Sequence, residues 1–194
     1  MYTKDAILFA LNLAEGAMLQ SLLAIEDAPL TFPTSNGGCH PMWVLGHLAF
    51  VEAMTHELLT GEANPIASWG SMFGPSTRAS SDAGQYPAFQ EVRSRYAQLR
   101  TRTLQLLDSF SEADLDKRVS NPPEGLEEHF ATYGKAMLTL ALHQTMHRSH
   151  ITDAVRAAGR QVPSPVAAGR AGGGLAGVRA VATIVQGKVT LIGR

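Results

Sequence analysis

Apolar residues recur at helical spacing in four separate segments of the chain. In the first, Ile7, Leu11, Ala14, Met18, Leu22 and Ile25 form one stripe, which predicts a helix from a Thr3 cap to about Asp27. The segment from Ala28 to Cys39, with Pro29, Pro33, Asn36, Gly37 and Gly38, reads as loop. A second helix starts near Pro41 and stops at Thr60–Gly61. At 100° per residue, Trp43, Val51, Met54 and Leu58 lie within about 40° of His47, so this histidine sits mid-stripe. The third helix spans about Pro87 to Phe110, its buried stripe built from Phe89, Val92, Tyr96, Leu99, Thr103, Leu106 and Phe110. Glu91, Arg93, Arg95, Arg100 and Arg102 are placed on its solvated side. The fourth runs from about Phe130 to Ala158, with Gly159 as its stop. Between Ala136 and Leu142 it is apolar on nearly every side, which predicts the most buried element.

Four helices without an intervening strand imply an all-α fold, a four-helix bundle occupying residues 1–160. The connection from Gly61 to Tyr86 is long enough to run the length of the bundle, so the second and third helices can lie parallel. It carries Trp69 and Phe73, which a solvated linker does not need. The connector from Ser111 to Gly125 has a short turn at Glu112–Leu115. Residues 161–194 form a tail of different composition. Ala167 to Gly177 is Gly/Ala-rich, and Val181 to Ile192 suits either a β-hairpin turning at Gln186–Gly187 or a flexible end.

Composition narrows the function classes. An apolar fraction of 45% fits a packed domain, and 16 basic against 17 acidic residues leave a net charge of −1 without a basic run. Nucleic acid is therefore not an expected partner. Cys39, the single cysteine, excludes an internal disulfide and a multi-cysteine metal site. No uninterrupted apolar stretch of about 18 residues suggests a membrane span, and Met-Tyr-Thr-Lys-Asp lacks a signal-peptide pattern. A cytoplasmic protein is the expectation.

The candidate chemistry lies in the histidines. His143 and His147 have the i, i+4 spacing that stacks two imidazoles on one helix face. Seven histidines in 194 residues produce about 0.25 such pairs by chance, so spacing alone decides little. Direction adds more: Ala136, Leu140, His147, His150 and Ala154 all lie within about 60° of His143 on the wheel. The pair thus faces the core, as His47 does from the second helix. Three inward imidazoles require hydrogen-bond partners or a metal. As a metal site, three neutral imidazoles suit one divalent ion such as Zn²⁺ or Ni²⁺ and leave coordination positions open.

The segments W-V-L-G-H-L (Trp43 to Leu48) and L-H-Q-T-M-H-R-S-H-I (Leu142 to Ile151) resemble the DinB/YfiT-like superfamily of metal-binding four-helix bundles. The second matches that family's H-x-x-x-H-R-x-Q-I pattern, with His150 where glutamine is common. Gly61 to Ile66, Trp69 with Phe73-Gly, and Ser111 to Val119 resemble other parts of the family over residues 3 to 160. The resemblance implies His47, His143 and His147 as metal ligands, a homodimer and a small-molecule substrate. It does not concern the DNA polymerase that shares the DinB label. Relatives include transferases and isomerases that use low-molecular-weight thiols such as bacillithiol or mycothiol, and proposed metal-dependent hydrolases. The leading expectation is a metal-dependent enzyme activating a thiol for transfer to a small electrophile. The alternatives are a hydrolase using bound water and a non-catalytic stress-related module with a structural metal.

Other residues are assigned around this centre. His150 is a neighbour of the ligands, a proton shuttle or a fourth ligand. Trp43 lines the pocket. His40 is placed at the pocket mouth or, preferentially, in solvent on a loop. Trp69 and Phe73 either close over the pocket or pack against the bundle. Arg148 reaches a cofactor or, preferentially, a neighbouring helix. His56, about 180° from His47 on the wheel, lies outside the site.

Overall fold

The computed structural model describes residues 2–32 and 38–164; the hairpin expected in the tail lies outside them. Among the described residues the fold is helical: α1 (Thr3–Leu23), α2 (Pro41–Thr60), the one-turn α3 (Gly70–Phe73), α4 (Phe89–Ser109) and α5 (Tyr133–Ala157). Three short 3-10 turns join them, at Ala67–Trp69, Ala83–Gln85 and Ala113–Asp116.

The helix ends differ from expectation where tertiary partners replace local capping. Thr3 is the first helical residue rather than the cap, because the backbone N–H groups of Thr3 and Lys4 donate to the Glu112 carboxylate at 3.1 and 3.0 Å. That carboxylate satisfies two of the four free donors at the α1 start and complements its dipole. At the other end α1 stops at Leu23, yet Ile25 in the following turn stays buried. Helix α5 begins three residues late. Val119 and Tyr133 donate to the carbonyls of Ala131 and Lys117, pinning this stretch as a short antiparallel bridge, and Thr132 then caps the helix.

Helix α1 packs chiefly on α5, and α2 packs on both α4 and α5. Two apolar clusters give the directions. Ile7, Leu11 and Ala14 meet Met137 and Leu140 in one, while Met18 and Leu22 meet Ile151 and Val155 in the other. The first and last long helices are therefore parallel. The start of α2 (Trp43, Leu45) joins Val92 and Tyr96, and its end (Leu59) joins Leu106 and Leu107. Helices α2 and α4 are thus parallel to each other and antiparallel to α1 and α5. The 61–88 connection returns the chain along the bundle, as its length predicted.

Burial departs from the sequence expectation in α5. That helix exposes Leu138, Leu142 and Met146, one face at spacings of four, and α2 is the most buried helix instead. Fifteen of the 20 residues of α2 are buried, against 8 of the 25 in α5, because α4, α5 and the returning connection cover α2 on three sides. By length and mean hydropathy α1 is the one described helix able to cross a membrane. Its stripe of Ile7, Leu11, Met18 and Leu22 is nevertheless buried against α5, as a bundle helix requires.

The core also holds charge. Glu15 of α1, Glu52 of α2, Arg100 of α4 and Gln144 of α5 are all buried, one from each long helix. Arg100 pairs with Glu52 at 2.6 Å and donates to the amide oxygen of Gln144, whose amide nitrogen donates to the Tyr96 hydroxyl. The expectation that Arg100 is solvated is thereby corrected: its wheel position beside Tyr96 and Thr103 carries it inward, where Glu52 compensates its charge.

Candidate metal centre

Helix α2 presents its histidine through local devices. Pro41 suits the first helical position, and His40 caps the helix by accepting from the Trp43 backbone N–H at 3.1 Å. Gly46 is required because the Phe73 ring lies against the helix there, where any Cβ would collide with it. That close approach brings the Phe73 carbonyl to His47, whose Nδ1–H donates to it at 2.8 Å. Trp43 stacks on the His47 ring with centroids 4.5 Å apart, and its Nε1–H donates to the Thr77 hydroxyl at 3.0 Å. The returning connection therefore fixes both rings.

From α5, His143 and His147 meet His47 through their outer nitrogens. The Nε2 of His143 lies 3.2 Å from that of His47 and 3.0 Å from that of His147. Since the proton of neutral His47 is on Nδ1, its Nε2 offers only a lone pair. One proton can bridge a single pair of the three nitrogens, so lone pairs converge on one point. Burial pushes the His47 imidazole below its usual range. Burial, then the His47 neighbour, brings His143 down to about 4; burial, then His143, His47 and His150, brings His147 to about 3. All three rings are neutral near pH 7, the form that binds a metal.

The donor set fits a divalent cation. Three imidazole nitrogens at about 2.0–2.1 Å from a tetrahedral ion stand roughly 3.3 Å from one another, close to the separations here. The buried Nδ1 atoms of His143 and His147 lack hydrogen-bond partners among the described residues. Without a cation the cluster thus combines lone-pair repulsion with two unsatisfied polar atoms. These are also the three residues whose ligand atoms, among the described residues, gather closely enough for a metal ion.

A family model described as the DinB superfamily matches residues 10–151, a span that includes all three histidines. The chain belongs to the DinB superfamily. No curated protein matches the sequence.

The other expected site residues of this DinB chain fall into two groups. Trp43 and His150 adjoin the cluster; the His150 ring stands 5.8 Å from that of His147 and outside the convergent nitrogens. His40, Trp69 and Arg148 have structural work elsewhere. The preference for a solvated His40 is corrected: its ring is buried, its Nδ1 caps α2 and its Nε2–H donates to the Ser80 carbonyl at 2.7 Å. Trp69 packs on Phe73 with the rings tilted and centroids 5.4 Å apart. Arg148 donates to the Ala17 and Pro163 carbonyls, tying α5 to α1 and to the chain beyond α5. Burial raises the Cys39 thiol, which argues against a nucleophile there. The carbonyl of Phe73 is the contribution that sequence reasoning missed. A backbone group leaves no trace in residue type, although Gly46 and the apolar Trp69–Phe73 stretch marked the approach.

Proposed function

We propose that this DinB protein is a metal-dependent enzyme that binds a low-molecular-weight thiol and promotes its attack on a small electrophile. The observation that carries the reading is the convergence of three neutral Nε2 atoms, with His143 and His147 only half-buried, so the cluster is reachable from solvent. Bound by His47, His143 and His147, a divalent ion such as Zn²⁺ or Ni²⁺ supplies Lewis acidity and makes a thiol acidic enough to ionise near neutral pH. In the transfer, the thiol loses its proton, a sulfur–carbon bond forms and the leaving group departs with its electron pair. The chain's own part is positional. The Phe73 carbonyl and the stacked Trp43 ring hold the His47 imidazole in place. A cytoplasmic location belongs to the same proposal, since a free thiol substrate suits a reducing compartment.

Protein purified without a nickel column tests this reading. About one Zn²⁺ or Ni²⁺ per chain is expected, and less than about 0.2 without uptake of added ion overturns it. A thiol paired with an aryl halide should then turn over, and p-nitrophenyl acetate alone should not. The reverse pattern establishes hydrolysis, and neither activity with full metal a non-catalytic role.

A homodimer belongs to the same proposal. Phe9 and Leu13 on α1 and Leu138, Leu142 and Met146 on α5 are exposed apolar side chains on the two helices that pack as a pair. Light scattering should give twice the chain mass, reduced to one in Leu142→Glu; a monomeric parent protein ends that part of the proposal.

A further inference from the structure

A cavity of about 310 Å³ opens in the groove between α2 and α4, at the start of the returning connection, and none of the three clustered imidazoles lines it. Its apolar wall is Leu99 with Ala63 and Pro65; its polar wall is His56, Arg95 and Arg102, with Glu62 at the side. Arg102 meets Glu62 through two contacts, at 3.1 and 3.2 Å. Arg95 meets only the side-chain oxygen of Gln98, at 3.1 Å, and no carboxylate pairs with it among the described residues. One positive charge therefore remains uncompensated at the cavity, where apolar walls strengthen its field.

His56 is built into the core rather than left as a surface residue. It is 5% exposed, and its Nε2 lies 2.8 Å from the Thr103 hydroxyl. Thr103 in turn donates to the Glu52 carboxylate, so its oxygen must accept from His56 Nε2–H. Glu52 pairs with Arg100 at 2.6 Å, and Arg100 bonds to Gln144, the residue after His143. This chain fixes the ring and its tautomer, leaving Nδ1 with a lone pair. Burial first, then Arg102 and Arg100, brings the imidazole down to about 4, so it stands neutral in the wall. A fixed neutral ring, two planar guanidinium groups and an apolar side make a formed recognition surface.

We propose that this cavity is a second small-molecule site, separate from the metal centre. It takes the carboxylate or phosphate group of a small anion on Arg95 and Arg102, with the anion's apolar body against Leu99 and Pro65. Glu62 acts as the internal competitor for Arg102 and is displaced when the anion binds.

Amide chemical shifts of the metal-loaded chain, followed during titration, test the assignment with benzoate in one arm and inorganic phosphate in the other. Saturable shifts at Ala63 and Leu99 are expected, with a Kd on the order of 1 mM for the better probe. Tighter benzoate assigns the site to apolar carboxylates and tighter phosphate to phosphate esters, both within the proposed chemistry. Arg95→Gln should weaken binding about fivefold, and Glu62→Gln should tighten it severalfold by removing the competitor. The tightening is the readout that a merely structural role would not produce. Arg95 and Glu62 are not part of the buried core, so both variants should fold. The proposal is overturned if neither probe gives saturable shifts up to about 20 mM, if neither substitution changes the affinity, or if the shifts centre on His143 and His147.

Discussion

His143→Ala is expected to abolish metal retention, lowering the bound ion from about one per chain to below about 0.1 and the affinity by at least a hundredfold. His143 is the middle member of the cluster, its Nε2 within 3.2 Å of both other nitrogens, so its removal leaves two ligands on opposite helices. The ring is half-buried, and deleting it also relieves one lone-pair clash; the metal-free variant should melt within a few degrees of the metal-free parent. Metal analysis and calorimetry of both proteins check this. A variant that keeps its metal rules out the three-histidine centre.

The pH dependence has a definite sign. In the folded metal-free chain the ligand imidazoles are held below the ordinary histidine value, His143 to about 4 and His147 to about 3. Protons therefore compete for the site only in acid, and metal content should stay level from pH 8 to about 6. The unfolded chain takes up these protons first. Stability of the metal-free fold should fall as pH drops below about 6.5 and continue to fall toward the folded values. Unlinked histidines would show neither effect.

Arg100→Met is expected to cost about 3–5 kcal/mol, the usual result of leaving a buried carboxylate without its cation. Glu52 is 2% exposed and Glu15 is 7% exposed, and both face Arg100 electrostatically. Burial already raises the Glu52 carboxyl, with Arg100 pulling against it; without Arg100 it rises further. A carboxyl raised in the folded state binds its proton there first, so the variant should lose stability as pH rises from 5 to 8. Glu52→Gln combined with Arg100→Met should recover much of the loss, since no charge then remains in that pair. Urea unfolding of the two single variants and the double gives the coupling energy, and a cost below about 1 kcal/mol for Arg100→Met contradicts the ion-pair account.

The same residues show what a sequence can reveal. Helix positions and the inward direction of His47, His143 and His147 were legible because both follow from the 100° periodicity alone. The parallel course of α2 and α4 was legible because the intervening connection is long. Arg100 was not. Its wheel position lies about 40° from Tyr96, at the edge of the apolar stripe, and only the presence of Glu52 across the interface permits a guanidinium there. Leu138 and Leu142 fail in the opposite sense, since apolar character makes burial favourable but does not supply a neighbour. His40 was misread because histidine is an uncommon helix cap, and its acceptor role depends on Ser80, forty residues away, fixing the other nitrogen.

The pairing of α1 with α5 has a consequence for biosynthesis. Helix α1 finds its principal neighbour in α5, and the Gln144 side chain that reaches Met18 is separated from it by 126 residues. Contacts of such sequence separation require loop closure before they can stabilise the fold. Until α5 has been synthesised, the Leu11, Met18 and Leu22 stripe lacks its principal cover, the surface exposure that favours association of incomplete chains. Emergence of α5 after α1 to α4 brings both the main cover of α1 and two of the three clustered histidines.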